Sequence, residues 1–177
     1  MRGLALNTLY NTHRLDISEL FSVGEHRENS ALLSQIVSVL TPAVVENLPG
    51  YFHSINTPEA AADWLEKVLA EGRVLLVSYK HGSDLTGFIF LYGTEAQTVH
   101  IGYLLKQSEW GKGLASEMLD GLVRFAEQNT NWECLVAGVD SANVASARLL
   151  EKLNFIRQPT GDQGPIFYHY ELIKSGS

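Results

Sequence analysis

Residues 101–115 read Ile101-Gly102-Tyr103-Leu104-Leu105-Lys106-Gln107-Ser108-Glu109-Trp110-Gly111-Lys112-Gly113-Leu114-Ala115. This is an apolar strand, a polar loop and the start of a helical pattern that runs from Lys112 to Gln128 through Leu114, Met118, Leu122, Phe125 and Ala126. Small residues at 111, 113 and 115 let backbone amides approach a ligand closely. The first amides of a helix lack internal partners and attract anions, so the segment suits a phosphate or pyrophosphate, with Lys112 adding positive charge. The plainer reading is a glycine turn ahead of a helix. A P-loop needs G-x-x-x-x-G-K-[ST], which Gly111-Lys112-Gly113 does not supply. A dinucleotide fingerprint needs G-x-G-x-x-G tight against a strand, but Ser116 holds the third position and about five residues separate Leu105 from Gly111. Asp140 ends the next strand where a ribose-binding acid would sit, so this reading stays as the rival.

Upstream, Val74–Val77 and Leu85–Tyr92 are apolar runs joined by His81-Gly82-Ser83-Asp84, which predicts a hairpin. Thr98–Leu105 adds a third strand, a meander that argues against a dinucleotide fold built of parallel units. Downstream, the pattern predicts a strand over Glu133–Val139 and a helix over Asn143–Leu153. A last strand spans Ile166–Ile173, after a turn region from Pro159 to Pro165. Toward the N-terminus, Leu4–Tyr10 is strand-like, and Thr12 or Asp16 caps an expected helix running through Leu20 and Phe21 toward Arg27. Ser30 opens a second helix with Leu32, Leu33, Ile36, Val37 and Leu40 on one side, closed by Thr41-Pro42. Thr57 at the N-cap, Pro58 at the first helical position and Glu59 in the first turn mark a third. Its buried stripe is Ala61, Trp64, Leu65, Val68 and Leu69, and Gly72 ends it. With no internal repeat and no linker, residues 1–177 read as one mixed α/β domain.

Composition narrows the function. With 45% apolar and 19% charged residues in 177, a folded chain is expected rather than a disordered one. Thirteen basic against 20 acidic residues leave a net charge of −7, which disfavours nucleic acid and favours cationic partners. The lone Cys134 makes no internal disulfide, and the histidines at 13, 26, 53, 81, 100 and 169 lack metal-ligand spacing, so no metal is expected. No stretch approaches the ~20 apolar residues of a membrane span, and no leader pattern opens the chain. No membrane association is expected, and cytoplasm is the default compartment.

Trp110-Gly111-Lys112-Gly113-Leu114-Ala115 resembles the [QR]-x-x-G-x-[GA] signature of the GNAT N-acetyltransferase superfamily, with Trp110 departing from its first position. Trp before Gly-Lys-Gly, and Ile101-Gly102-Tyr103-Leu104-Leu105 before it, are similar to the RimJ/RimL-like branch. A second block, Asn143 to Phe155, resembles the family's N-x-x-S/A…E-K-x-G-F stretch, with Asn154 where glycine is usual. Asparagine tolerates the left-handed backbone needed there. The likeness is strong over residues 72–157.

The resemblance implies an α/β fold with a mixed, mostly antiparallel central sheet, flanking helices and two splayed central strands, here Thr98–Leu105 and Glu133–Val139. Acetyl-CoA is the implied co-substrate. Its pantetheine would lie between those strands against the backbone of Tyr103, Leu104 and Leu105, and its pyrophosphate on the amides of Trp110, Gly111, Lys112, Gly113, Leu114 and Ala115. Asn143 would bind it from the opposite wall, cap the helix, or do both.

Relatives that use a tyrosine to protonate the thiolate place it where this chain has Leu150, and the glutamate of others falls at Gly138. Ser146 is then the candidate acid, as in the RimL-like branch. Its plainer role is that of a small residue packed near the cofactor. His100 is the preferred base over Asp140 and Glu133, although proximity supplies much of such a rate without one. The acceptor would be selected by the first two helices and the Pro159–Pro165 turn. Tyr51, Phe52 and Trp64 either line its pocket or belong to the core. The expected acceptor is a primary amine: the N-terminus of a (ribosomal) protein, a polyamine or an aminoglycoside. The competing functions are a dinucleotide-dependent oxidoreductase and a CoA-binding module without catalysis. A monomer or homodimer is expected.

Overall fold

The apolar runs around the glycine loop assemble into the centre of one sheet. The computed structural model describes residues 6–21, 27–159, 161 and 163–174. Strands β1 (Leu6–Asn11) and β2 (Leu15–Leu20) lead to helices α1 (Ser30–Val39), α2 (Pro42–Val45) and α3 (Pro58–Glu71). Strands β3 (Arg73–Tyr79), β4 (Leu85–Tyr92) and β5 (Thr98–Leu105) follow, then α4 (Leu114–Asn129) and β6 (Cys134–Val139). Helix α5 (Val144–Lys152) and strands β7 (Ile156–Arg157) and β8 (Ile166–Glu171) complete the order. The eight strands pair as β1-β2-β3-β4-β5-β6-β8-β7. Every neighbouring pair is antiparallel except β5 with β6, so among the described residues β5-α4-β6 is the one parallel βαβ unit, and the succession of such units that builds a dinucleotide fold does not occur in this sheet.

Each face of the sheet carries its own core. On one side Leu75, Ile89, Val99 and Ile101 pack with Leu114, Met118 and Leu122 of α4 and with Leu150 of α5. On the other, Val74, Leu76, Phe88, Phe90 and Leu104 meet α1 and α3. With both faces covered, β4 is buried from Leu85 through Leu91 and reads as a continuous apolar run. Trp64 and Phe52 are core residues here: the Trp64 ring lies 5.2 Å from Phe88, and Phe52 lies 5.5 Å from Phe90. Tyr51 stays half-buried beneath the Lys67 ammonium, 5.0 Å from its ring centre.

Local signals place most elements well. Thr57 accepts from the Ala60 amide at the head of α3 with Pro58 at its first position, and Asn154 takes φ 68° after α5. Gly72 ends α3 in extended backbone, where a Cβ would stand 2.4 Å from the Leu91 carbonyl oxygen. The expected helix beyond Thr12 is instead strand β2. Leu15 and Ile17 alternate with Asp16 and Ser18 and bury fully in register with Tyr79 and Val77 of β3. Thr12 caps the hairpin turn, its hydroxyl accepting from the Leu15 amide. The remainder of that expected helix, residues 22–26, lies outside the described residues, as do residues 4 and 5 of the expected first strand and 160 and 162 of the expected turn. The other differences are small: helix α4 starts at Leu114 rather than Lys112, β8 ends at Glu171 rather than Ile173, and the four-residue α2 and two-residue β7 are too short to leave a pattern.

Candidate active site

The β5–β6 ladder holds from Thr98 opposite Cys134 to Ile101 opposite Ala137, and then the strands part. Beyond that point Gly102–Leu105 pair only with β4, while Gly138 and Val139 pair only with β8. The backbone groups of Tyr103 and Leu105 that point away from β4 are thereby left without a strand partner beside a cleft, the Leu105 carbonyl accepting from the Trp110 indole instead, while Leu104 directs its N–H and C=O at β4.

The glycine loop leaves the end of β5 nearest that cleft. A 3-10 turn at Gln107–Glu109 brings the Trp110 indole back to donate to the Leu105 carbonyl at 3.0 Å. Gly111 and Gly113 take φ of 75° and 78°, and Gly113 is the N-cap of α4. A Cβ at Gly111 would meet nothing within 4 Å, so backbone conformation, not crowding, selects glycine there. The cap supplies no side-chain acceptor, which leaves the first amides of α4, from Leu114 and Ala115 on, open to an anion.

Lys112 contributes less free charge than the sequence suggests, because Glu109 binds its ammonium at 3.1 Å. The Tyr79 phenol donates to the same Glu109 at 2.5 Å and, with Lys112, holds that carboxyl below its ordinary range. A second cation arrives from the β1–β2 turn. Arg14 donates from its backbone and its Nε to Glu117, both at 2.7 Å, and from Nη1 to the Lys112 carbonyl at 3.0 Å. Its Nη2 lies 3.6 Å from where a Gly113 Cβ would be. Burial pushes the Glu117 carboxyl up, but the Thr12 hydroxyl and the two Arg14 contacts outweigh it and hold the group below the carboxylate range. No local pattern announced Arg14; its turn and the loop are 98 residues apart.

The opposite wall of the cleft is the start of α5. Asn143 is its N-cap, with Oδ1 accepting from the Ser146 amide at 3.2 Å. Asp140 closes the preceding turn by accepting from the Ala142 amide at 2.8 Å. Ser146 is half-buried, and its hydroxyl is hydrogen-bonded to the Tyr103 phenol. Burial raises the Tyr103 pKa to about 12. The family resemblance implies a role for the Tyr103 backbone alone. The alternation Val99, Ile101, Tyr103, Leu105 was the available sign that its side chain faces α4 and α5. Leu150 is fully buried and apolar, and a Cβ at Gly138 would press on the Phe167 ring at 3.2 Å.

His100 lies in the still-paired part of β5, between Tyr92 and Val136, and its even register turns it to the face opposite Tyr103. It is exposed. Glu133 precedes the first β5–β6 pair, at the closed end of the cleft, where Gln97 donates to it at 2.7 Å. Tyr103, Ser146, Asn143 and the β5 edge are thus brought together, whereas His100 and Glu133 are not beside Ser146. The Cys134 thiol is buried, and burial pushes its pKa up. Among the described residues no group of His, Cys, Asp or Glu is gathered as metal ligands, and no helix is long and apolar enough to cross a membrane.

Residues 30–156 match the family model described as acetyltransferase (GNAT) domain. The chain is 27% identical over 110 residues to the SPbeta prophage-derived uncharacterized N-acetyltransferase YokL of Bacillus subtilis strain 168, covering 59% of this chain and 62% of that protein. It is 36% identical over 58 residues to the uncharacterized N-acetyltransferase p20 of Bacillus licheniformis, 33% of each. The matched stretches therefore span less than two thirds of these curated relatives. In fold, the chain superposes on RimL, a ribosomal L7/L12 alpha-N-protein acetyltransferase solved with coenzyme A, with TM-score 0.74 at 14% identity over 94% of this chain and 98% of that one. The microcin C7 self-immunity acetyltransferase MccE, solved with acetyl-CoA and AMP, superposes with TM-score 0.66 at 14% identity, covering 92% and 94% of the two chains.

Proposed function

The chain belongs to the acetyltransferase (GNAT) domain family, and from that premise we propose that it moves an acetyl group from acetyl-CoA to a primary amine. The observation that carries this is the parting of β5 from β6 after Ile101, with the glycine loop at the same end of the sheet. The residues suit the co-substrate. The open edge of β5 at Tyr103–Leu105 accepts the pantetheine amides as an added strand would, and the amides of Gly111–Ala115 with the Arg14 guanidinium face the pyrophosphate, whereas the expected Trp110 amide is spent on the Gln107 carbonyl at 3.1 Å. Asn143 spends Oδ1 on its cap, which leaves its Nδ2 to donate to the co-substrate. Acetyl-CoA supplies an acyl group activated as a thioester.

The chain then has to hold a neutral amine against the carbonyl carbon and stabilise the departing sulfur. Ser146 is the proposed donor to that sulfur, since Leu150 offers no polar atom. His100 is the proposed base only if the acceptor enters on its own face of the sheet, opposite Ser146. A net charge of −7 favours a cationic acceptor. A protein N-terminus, as on the ribosomal substrate in the RimL name, leads over a polyamine or an aminoglycoside. We take residues 1–177 as one domain, active in the cytoplasm as a monomer or homodimer without nucleic acid or membrane. A CoA-binding module without catalysis is the second reading, favoured by the apolar Leu150.

Calorimetry with acetyl-CoA and NADH, followed by thiol release with a basic N-terminal peptide, spermidine and kanamycin, separates these. Binding of acetyl-CoA alone, with thiol released by one amine class, is expected. No acetyl-CoA binding at high micromolar concentration overturns the proposal; binding without thiol release from any of the amines selects the second reading.

A further inference from the structure

Resting on the acetyl-transfer reading above, we infer that Tyr103 is a positioning residue for Ser146: its phenol reaches across the mouth of the β5–β6 cleft and turns the serine proton toward the departing sulfur. Tyr103 is the second residue of β5 beyond the last pair with β6, so it stands on the free edge of the strand. Its odd register sends the side chain to the α4–α5 face, where the first turn of α5 presents Ser146. The Asn143 cap holds the Ser146 backbone, but a serine hydroxyl rotates freely unless something occupies one of its lone pairs. A phenol is the stronger acid of the two groups, and in this assignment Tyr103 donates and Ser146 accepts. The serine O–H is then left to point away from the phenol, and in the proposed complex it is offered to the thioester sulfur.

The burial that lifts the Tyr103 pKa to about 12 keeps the phenol protonated at any working pH. The phenol is engaged by the Ser146 hydroxyl, so the assigned role is orientation and not acid catalysis. In the step itself the N–C bond forms and the C–S bond breaks, its electron pair going to sulfur. Ser146 donates a hydrogen bond to that sulfur, strengthened by the bond it accepts from Tyr103. The proton shed by nitrogen passes to water, water returns one to sulfur, and both hydroxyls end as they began.

The test compares wild type, Tyr103→Phe, Ser146→Ala and the double variant in the full chain. Acetyl-CoA affinity is read by calorimetry, and kcat and KM by thiol release with whichever of the peptide, spermidine or kanamycin the wild type uses. Tyr103→Phe is expected to keep its thermal midpoint, its acetyl-CoA affinity and its KM within about twofold, while kcat falls about 10- to 100-fold. Ser146→Ala should fall at least as far, and the double variant no further, because the two hydroxyls act as one unit. An unchanged kcat in Tyr103→Phe overturns the assignment. So do losses that multiply in the double variant, or a tenfold loss of acetyl-CoA affinity, which would make Tyr103 a wall of the binding site. A wild type that binds acetyl-CoA and releases thiol with no amine overturns the transfer reading, and the assignment with it.

Discussion

Arg14 and Lys112 stand together at the glycine loop, yet they differ in what they can offer a phosphate. The Lys112 ammonium is engaged by Glu109, and its carbonyl is in turn bound by Arg14. The guanidinium has five donors in a fixed fork, and Glu117 and Lys112 use only some of them. Arg14→Gln is therefore expected to weaken acetyl-CoA by about tenfold, the worth of one charge-assisted contact. Pantetheine, which lacks the phosphates, should bind the variant and the wild type alike. Calorimetry with both ligands checks this, and an equal loss for pantetheine would remove Arg14 from the phosphate site. Gly113→Glu makes the stronger demand of the same loop. It forces a side chain into left-handed backbone at φ 78° and adds a negative charge where the phosphates are proposed to lie, so acetyl-CoA binding should be lost. Unchanged binding in that variant would show that the loop has been misplaced.

Helix α5 is nine residues long and has only Leu150 fully buried, so its first turn depends on its cap more than on its packing. Asn143→Ala removes that cap and should cost about 1 kcal/mol, read as a fall in thermal midpoint. It should also lower acetyl-CoA affinity. Asn143→Asp separates the two roles, because a carboxylate caps as well as an amide but carries no donor. Its midpoint should return to the wild-type value while the affinity stays low; recovery of both would leave Asn143 as a cap alone. Helix α4 shows the opposite balance. Six buried residues anchor it, and its N-cap glycine brings no side-chain bond, which leaves the amides free.

Across the molecule, the β1–β2 hairpin and the head of α4 are joined through the Glu117 carboxylate. It takes the Thr12 hydroxyl at 2.6 Å along with two Arg14 donors. Glu117 and Glu109 both have folded pKa values below the ordinary carboxylate value. Groups depressed on folding contribute stability that is present above the unfolded pKa and lost as pH falls through the folded one. Urea midpoints should therefore drop as pH falls below the ordinary carboxylate value of 4.5. Glu117→Gln should cost about 2 kcal/mol at neutral pH and flatten that acid limb. A variant with the wild-type acid profile would show that the pair contributes nothing.

The chain states its local units openly. Gly111 and Gly113 announce the left-handed loop, Thr57-Pro58 and Asn143 the helix starts, and the apolar runs of β3, β4 and β5 the meander. Each of these depends on a residue's own backbone preference or on hydrogen bonds within about four positions, which a short window of sequence contains. Strand β2 was not legible in that way, because its six residues Leu15–Leu20 become a strand only by pairing with Val74–Tyr79 of β3. The site was legible to the same extent: its backbone loop and its Asn143 cap were, and its side-chain partnerships were not. Arg14 meets the loop from 98 residues away, and Tyr103 meets Ser146 from 43. Strand order, register and the parting of β5 from β6 bring those groups together, and burial then sets the phenol's pKa. These are properties of pairing and packing between distant segments, which have no counterpart in any one stretch of chain.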